Sequence, residues 1–323
     1  MIKNNANTII KAFRKFLNSK NKNNNNESST NKVAEYINDV KYGFHSIDFF
    51  GLRDENNLKK GFGIQRFPDG SIYKGIFLKG KADGWGIFKY SEGDLYKGKF
   101  ENNKTNGYGE YYHENGACYF GYWNDDLQSG IGYEIWGDSS KYTGEYFLGK
   151  KHGIGIFEWQ DRTFYQGEWK ENNINGFGIY KYADGRLYYG EWKNNKMNGY
   201  GIFSWIGGKL YCGFFKSDKR EGFGLYRAGN KVFLGFWKNG KQYGIGKLIK
   251  DSLCKYGFWK DGKNERWYNN EDDFFNILSN SDTKYTNIFQ WKLDKIQNFM
   301  KCNENLSSVS ILSVVSLYKN NFY

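Results

Sequence analysis

The 323-residue chain is poor in the residues that build most catalytic and metal centres: three histidines, four cysteines and a single proline, Pro68. Cys118, Cys212, Cys254 and Cys302 form no CxxC pair, and His45, His113 and His152 are scattered, so no zinc-ligand spacing exists. No apolar run reaches 18 residues, which excludes a spanning helix. The N-terminus has neither an apolar core nor a small-residue cleavage site, so it does not read as a secretory signal. The 41 glycines lack a Gly-X-Y triplet, which excludes collagen. A reduced, cytoplasmic protein is the expectation.

What is abundant points elsewhere. Aromatic residues make up 20% of the chain, far too many for disorder. Tyrosine, tryptophan and glycine together predict β-structure with tight turns. The net charge of +12 favours an acidic partner such as an anionic lipid surface, or simply a lysine-rich soluble surface.

A GxG pair recurs at Gly61/Gly63, Gly84/Gly86, Gly107/Gly109, Gly130/Gly132, Gly153/Gly155, Gly176/Gly178, Gly199/Gly201 and Gly222/Gly224, always 23 residues apart. A ninth pair, Gly244/Gly246, follows after 22. A second motif keeps the same step: YKGIF at 73, YKGKF at 96, YFGYW at 119, YTGEY at 142, YQGEW at 165, YYGEW at 188 and YCGFF at 211. Degenerate copies stand at 233 and 255. Between the motifs lie Asp69-Gly70, Glu92-Gly93, Asn115-Gly116 and Asp184-Gly185, which supply the positive φ of a tight hairpin. Each unit therefore reads as strand, turn, strand, turn. In YxGxW the two rings and the glycine share one face, and the glycine leaves room for rings to lie flat. Residues between the glycines, such as Trp85 and Ile87, put apolar groups on the other face too.

A phosphate-binding loop is excluded. No copy has the third glycine of GxGxxG or continues into GK[ST], and such a loop occurs once, not nine times. The pattern YxGxWxxGxxxGxG instead resembles the MORN repeat (membrane occupation and recognition nexus), with YQGEWKENNINGFG at 165–178 and YYGEWKNNKMNGYG at 188–201 the closest copies. Their eighth position is Asn172 and Asn195, where YKGIFLKG at 73–80 keeps glycine. The resemblance implies an all-β repeat: an elongated, single-layer, twisted antiparallel sheet of about nine hairpins, with aromatics lining a groove. At about 10 Å per two-stranded repeat, Cys118 and Cys212 stand on the order of 40 Å apart, beyond disulfide reach within one chain.

The expected organisation is a basic amphipathic helix and Asn-rich linker (1–40), a degenerate capping unit (41–60), the repeats (61–263) and a helical extension (264–323). Lys3, Lys11, Arg14, Lys15, Lys20 and Lys22 accompany apolar residues at helical spacing, with no acid in the first 26 residues. Such a segment suits an anionic membrane; a partner groove, a transit peptide and a tail with chance periodicity are the alternatives. Over 284–301, Ile288, Phe289, Leu293, Ile296, Phe299 and Met300 predict a helix that covers the last hairpin or mediates pairing, so a homodimer is allowed. The apolar stretch 306–318 is too short to span a bilayer.

No catalytic constellation emerges. His113 and His152 are expected in a strand and a loop respectively, without repeated partners. Some MORN proteins carry a lipid-kinase or SET domain, but about 60 residues after the repeats are too few, and no HRD or DFG motif is present. No cofactor or metal is expected. The expectation is a non-catalytic scaffold at the membrane periphery or cortical cytoskeleton. Its groove would hold a protein segment against Tyr73, Phe77, Tyr96, Phe100, Tyr119, Trp123, Tyr142, Tyr165, Trp169, Tyr188, Trp192, Tyr211 and Phe215. The competing role for these rings is internal packing of the sheet. Phospholipid binding by the repeats and a cytoskeletal or axonemal structural role are the alternative functions. Nucleic-acid binding is disfavoured by Glu145, Glu168 and Glu191, which alternate along the strands.

Overall fold

A computed structural model describes residues 48–251 and 253–269. The basic N-terminal segment with Lys3, Lys11, Arg14, Lys15, Lys20 and Lys22, the predicted helix over 284–301, the stretch 306–318 and Cys302 lie outside the described residues. Every described element is a strand, as the period-2 ring spacing and regular turn signals predict.

The chain divides into two compact units, residues up to 160 with 168–172, and 161–167 with 173 onward. In the first unit the strands are β1 (Phe49–Arg53), β2 (Lys59–Arg66), β3 (Ile72–Leu78), β4 (Lys81–Lys89), β5 (Leu95–Glu101), β6 (Lys104–Tyr112), β7 (Cys118–Asn124), β8 (Leu127–Ile135), β9 (Lys141–Phe147) and β10 (Lys150–Glu158). Each pairs antiparallel with the next. The expected capping unit thus contributes β1, which pairs with β2. β11 (Phe164–Lys170) lies at the division. The second unit continues with β12 (Asn173–Lys181), β13 (Leu187–Lys193), β14 (Lys196–Ser204), β15 (Leu210–Lys216), β16 (Lys219–Ala228), β17 (Lys231–Lys238), β18 (Lys241–Lys250), β19 (Leu253–Lys260) and β20 (Lys263–Trp267), again paired in order.

Two kinds of turn alternate. The acid- or amide-Gly pairs close wider loops: Gly93 N–H donates to the Tyr90 carbonyl and Tyr90 N–H to the Asp94 carbonyl, with Gly93 at φ 102°. The other connection is a two-residue hairpin with both residues at positive φ, such as Asn102 (51°) and Asn103 (71°). This second turn also joins one repeat to its predecessor. Asn103 N–H donates to the Ala82 carbonyl, and Ala82 N–H returns a 2.7 Å bond to Asn103 Oδ1. Asp126, Asn172, Asn195 and Asp218 repeat this reciprocal staple at Thr105, Lys151, Ile174 and Met197. Asparagine or aspartate in the glycine slot therefore keeps the left-handed conformation and adds a bond between neighbouring repeats.

The glycines form a row across each unit. Gly75, Gly86, Gly98, Gly109, Gly121, Gly132, Gly144 and Gly155 face one another in sequence. The two glycines of one pair have different reasons. Gly84 stands opposite Phe100 at φ 112°, a conformation that β-carbons resist. Gly86 has ordinary extended geometry, but a Cβ there would lie 2.5 Å from Cε2 of Tyr73. The Tyr73 ring lies flat over the glycine row, so only hydrogen fits beneath it.

Candidate functional site: an aromatic stripe on the sheet

One face of the sheet carries two populations of rings. The first comprises the tyrosines and second aromatics of YxGxW. Tyr73, Tyr96, Tyr119, Tyr142, Tyr165, Tyr188 and Tyr211 are at most 1% exposed. In the first unit Tyr73 meets Phe77 and Phe100 edge-on, each at 5.0 Å between ring centroids. Tyr96 meets Phe100 and Trp123 at 5.1 and 5.5 Å, and Tyr142 meets Trp169 at 5.4 Å. In the second unit Tyr165 meets Trp192 at 5.7 Å, Tyr188 meets Phe215 at 5.2 Å and Tyr211 meets Trp237 at 5.3 Å. Each edge-to-face contact adds about 0.5–1.5 kcal/mol beyond burial.

The tyrosine hydroxyl closes the motif. Tyr96 Oη donates to the Lys99 carbonyl at 3.0 Å, and Tyr73, Tyr119, Tyr142, Tyr188 and Tyr211 make the same bond three residues along. Tyr165 Oη reaches the Phe177 carbonyl at 3.5 Å. Burial pushes the phenols of Tyr73, Tyr96, Tyr119, Tyr188 and Tyr211 well above their ordinary range, so they remain neutral donors. Except for half-buried Trp123, all thirteen rings expected to line a groove are buried, and they are packed into this ladder.

The second population is half-buried and continuous. Its rings come from GxGxF and the aromatic two residues on. In the first unit Phe67, Phe88, Tyr90 and Tyr111 follow one another at 5.5, 4.6 and 5.7 Å. Trp136, Phe157 and Trp159 continue at 5.1 and 4.5 Å. In the second unit Tyr180, Tyr182, Phe203 and Trp205 are spaced at 4.6, 5.9 and 4.4 Å. Of these rings only Phe203 is fully buried. The sequence places Phe88 on the ring face, but the period does not reveal that its row is the one left accessible.

Polar groups punctuate the stripe. Glu134 occupies the slot that Phe88, Tyr111 and Phe157 fill in other repeats. Its carboxylate accepts a 2.6 Å bond from Tyr146 Oη, and burial pushes its pKa up against that bond and the nearby charge of Lys151. Lys151 Nζ sits over four rings: Trp136 at 4.8 Å, Phe157 at 5.5 Å, Tyr142 at 5.6 Å and Trp169 at 6.0 Å. Burial lowers its pKa while Glu134 opposes that shift. In the second unit Arg220 plays a similar part, 4.1 Å from the Trp237 ring and donating to the Gly240 carbonyl. Such cations lay long stems over rings while gaining cation–π attraction.

The histidines correct their expected placement. His113 lies in the turn after β6, with Nδ1 3.0 Å from Asp94 Oδ2, because the wide loop begins there. His152 lies within β10, against Phe147 at 5.7 Å. Asp94 also accepts from Tyr111 Oη and Glu114 N–H, so it fastens the loop. Cys118, Cys212 and Cys254 are free thiols, and burial pushes that of Cys212 up to about 12. Among the described residues no three His, Cys, Asp or Glu side chains cluster to hold a metal ion, and no helix is long and apolar enough to cross a membrane.

The chain resembles the TCP10 domain of Danio rerio CPAP solved in complex with a peptide of Danio rerio STIL, at 11% identity and a TM-score of 0.40, covering 68% of this chain and 98% of that one. It also resembles the Drosophila melanogaster SAS-4 TCP domain in complex with a proline-rich motif of Ana2, at 14% identity and a TM-score of 0.32, covering 54% and 94%. No curated protein sequence matches the chain. The MORN repeat family matches residues 55–72, 73–95, 96–118, 119–141, 142–164, 165–185, 188–209 and 211–231, more than half of the sequence. With the glycine row, the tyrosine ladder and the 23-residue period all accounted for, the chain belongs to the MORN repeat family.

Proposed function

We propose that the protein is a non-catalytic scaffold whose half-buried aromatic stripe holds an extended segment of a partner protein. The observation that carries this reading is the stripe itself: contiguous rings left accessible on a face whose other rings are sealed. Half-exposed rings offer large contact area at low conformational cost. Equivalent rings in successive repeats stand about 10 Å apart, which is three residues of extended chain. Glu134 gives the first unit a place where a donor side chain of the partner fits among rings.

The test is to pan a random peptide library on the folded full-length protein and rank the selected peptides on three variants. Tyr90→Ser and Trp136→Ser act on the stripe, and Trp85→Ser acts on the opposite face, where that ring is 58% exposed. Binding should weaken at least about tenfold with each stripe variant and stay unchanged with Trp85→Ser. Failure to select any binder, or equal loss in all three, would sink the reading.

The basic segment with Lys11, Arg14 and Lys15 is the tether in this scheme, drawing the scaffold to anionic lipid. Full-length protein should float with anionic liposomes and be released by salt. A chain starting at Lys32 that floats equally well would reject the tether.

A further inference from the structure

The stripe of the first unit is interrupted once. Rings run in contact from Phe67 to Tyr111, and His113 adds its ring against Tyr111 at 4.7 Å. A new run begins at Trp136, which meets Phe157 at 5.1 Å. The slot between the two runs belongs to Glu134, on β8. In the second unit the same slot, one repeat after another, holds Tyr180, Phe203 and Tyr226. A carboxylate there is therefore peculiar to the first unit.

Glu134 is half-buried and poorly served. Its carboxylate has a single hydrogen-bond donor among the described residues, Tyr146 Oη on Oε2 at 2.6 Å, and no ion pair. The charged groups that face it are Lys151 and His113, and both are engaged elsewhere. Lys151 Nζ lies over Trp136 and Phe157 at 4.8 and 5.5 Å, while His113 Nδ1 stands 3.0 Å from Asp94 Oδ2. Burial pushes the Glu134 pKa up despite these neighbours, so the loss of water around the carboxylate is not made good within the chain.

We propose that Glu134 is a register pin, which seats the guanidinium of an arginine in the partner segment and so fixes where that segment lies along the stripe. The proposal rests on the scaffold reading and names the partner's chemistry. Arginine fits the slot better than lysine for two reasons. Its planar fork can donate two N–H groups to one carboxylate, and its flat face stacks on aromatic rings such as those that bound the slot. Tyr146 Oη holds the carboxylate in place for that fork. The need for a pin follows from the repeat. Rings that recur about every 10 Å hold an apolar segment nearly as well after a slip of one repeat. A single carboxylate breaks that equivalence, because a slipped partner leaves Glu134 unpaired and lays its own cation where a ring stands.

The experiment takes peptides selected from a random library on folded full-length protein. Arginine should recur at one position, with apolar residues three places before and after it. Each selected peptide is then remade with citrulline, the neutral isostere, and titrated against wild type and Glu134→Gln. Citrulline should weaken binding at least about tenfold on wild type and less than about twofold on the variant. Equal loss on both proteins would place the arginine elsewhere and overturn the pin. Binders with no arginine preference, or with lysine or acidic residues at that position, would overturn it too. In all these cases loss of binding in the stripe variants still upholds the scaffold. Failure to select any binder would remove both readings together.

Discussion

The ladder makes a sharp demand at Gly109. This glycine has no unusual φ, so any cost of Gly109→Ala comes from space alone. A methyl there would stand 2.5 Å from both Cε2 and Cζ of Tyr96, well inside van der Waals contact. The ring must lift. Lifting it breaks the Tyr96 hydroxyl bond to the Lys99 carbonyl, about 1 kcal/mol net. It also spoils edge-to-face contacts with Phe100 and Trp123, about 0.5–1.5 kcal/mol each. Overpacking studies of other cores put such insertions at about 1–3 kcal/mol, and the broken contacts place this case at the upper end, about 3 kcal/mol. Equilibrium urea unfolding of full-length protein measures it, read as the transition of the affected unit because repeat arrays need not unfold as one. The reasoning is refuted in two ways. A loss below about 0.5 kcal/mol would mean that the ring has slack. An undiminished cost in a Tyr96→Ala background, where the ring is gone, would mean that the strain lies in the backbone. The expected result is a double-mutant coupling nearly as large as the single effect.

Two further outcomes follow from the same geometry. At Asn195, which holds φ 62°, accepts the Ile174 N–H at 2.7 Å and donates from Nδ2 to Asn173 Oδ1 at 2.6 Å, Asn195→Gly should cost about 1–2 kcal/mol by losing these two side-chain bonds, and Asn195→Ala more by adding left-handed strain, as urea midpoints would show. Glu134 titrates with inverted sense: burial raises its pKa, so the folded state holds its proton more tightly and the ionised carboxylate opposes folding above the unfolded value. Glu134→Gln should therefore stabilise at neutral pH, with the gain shrinking as pH falls through the raised pKa and vanishing below the ordinary glutamate range. A gain that persists in acid would assign the effect to packing.

Much of this architecture is legible in the repeats because each feature has a period-locked cause. Asp69-Gly70 and its counterparts announce loops because positive φ is cheap for glycine. YxGxW announces a face because strands alternate. What the period cannot separate is which ring on that face is sealed. Tyr96, Phe100 and Tyr111 all point the same way, and only the tyrosine's rotamer, laid over Gly98 and Gly109, decides that its row forms the floor while the row of Phe88 and Tyr111 stays accessible. The YxGxW rings are thus packed into the ladder, and the half-buried row lies one motif away. Glu134 carried a usable signal: it is a carboxylate in the slot that Phe88, Tyr111 and Phe157 fill, and its side chain is bonded to Tyr146 at the start of the next repeat.

The same logic explains why a single layer tolerates so many buried rings. A sheet with one covered face normally needs a second layer to shield large side chains. Here each tyrosine is shielded by lying down on glycine and by the edges of rings from neighbouring strands, so the ring face supplies its own cover. That device works only for flat, rigid groups. On the opposite face of the second unit, Leu225 and Leu234 are buried by another route, clustered with Phe223 and Tyr256 while Val232, Phe236, Ile245 and Tyr268 pack against them. The composition of the two faces therefore tells two things apart: rings above glycine mark where a repeat closes on itself, and aliphatic residues in the alternate row mark where neighbouring strands bury one another's side chains.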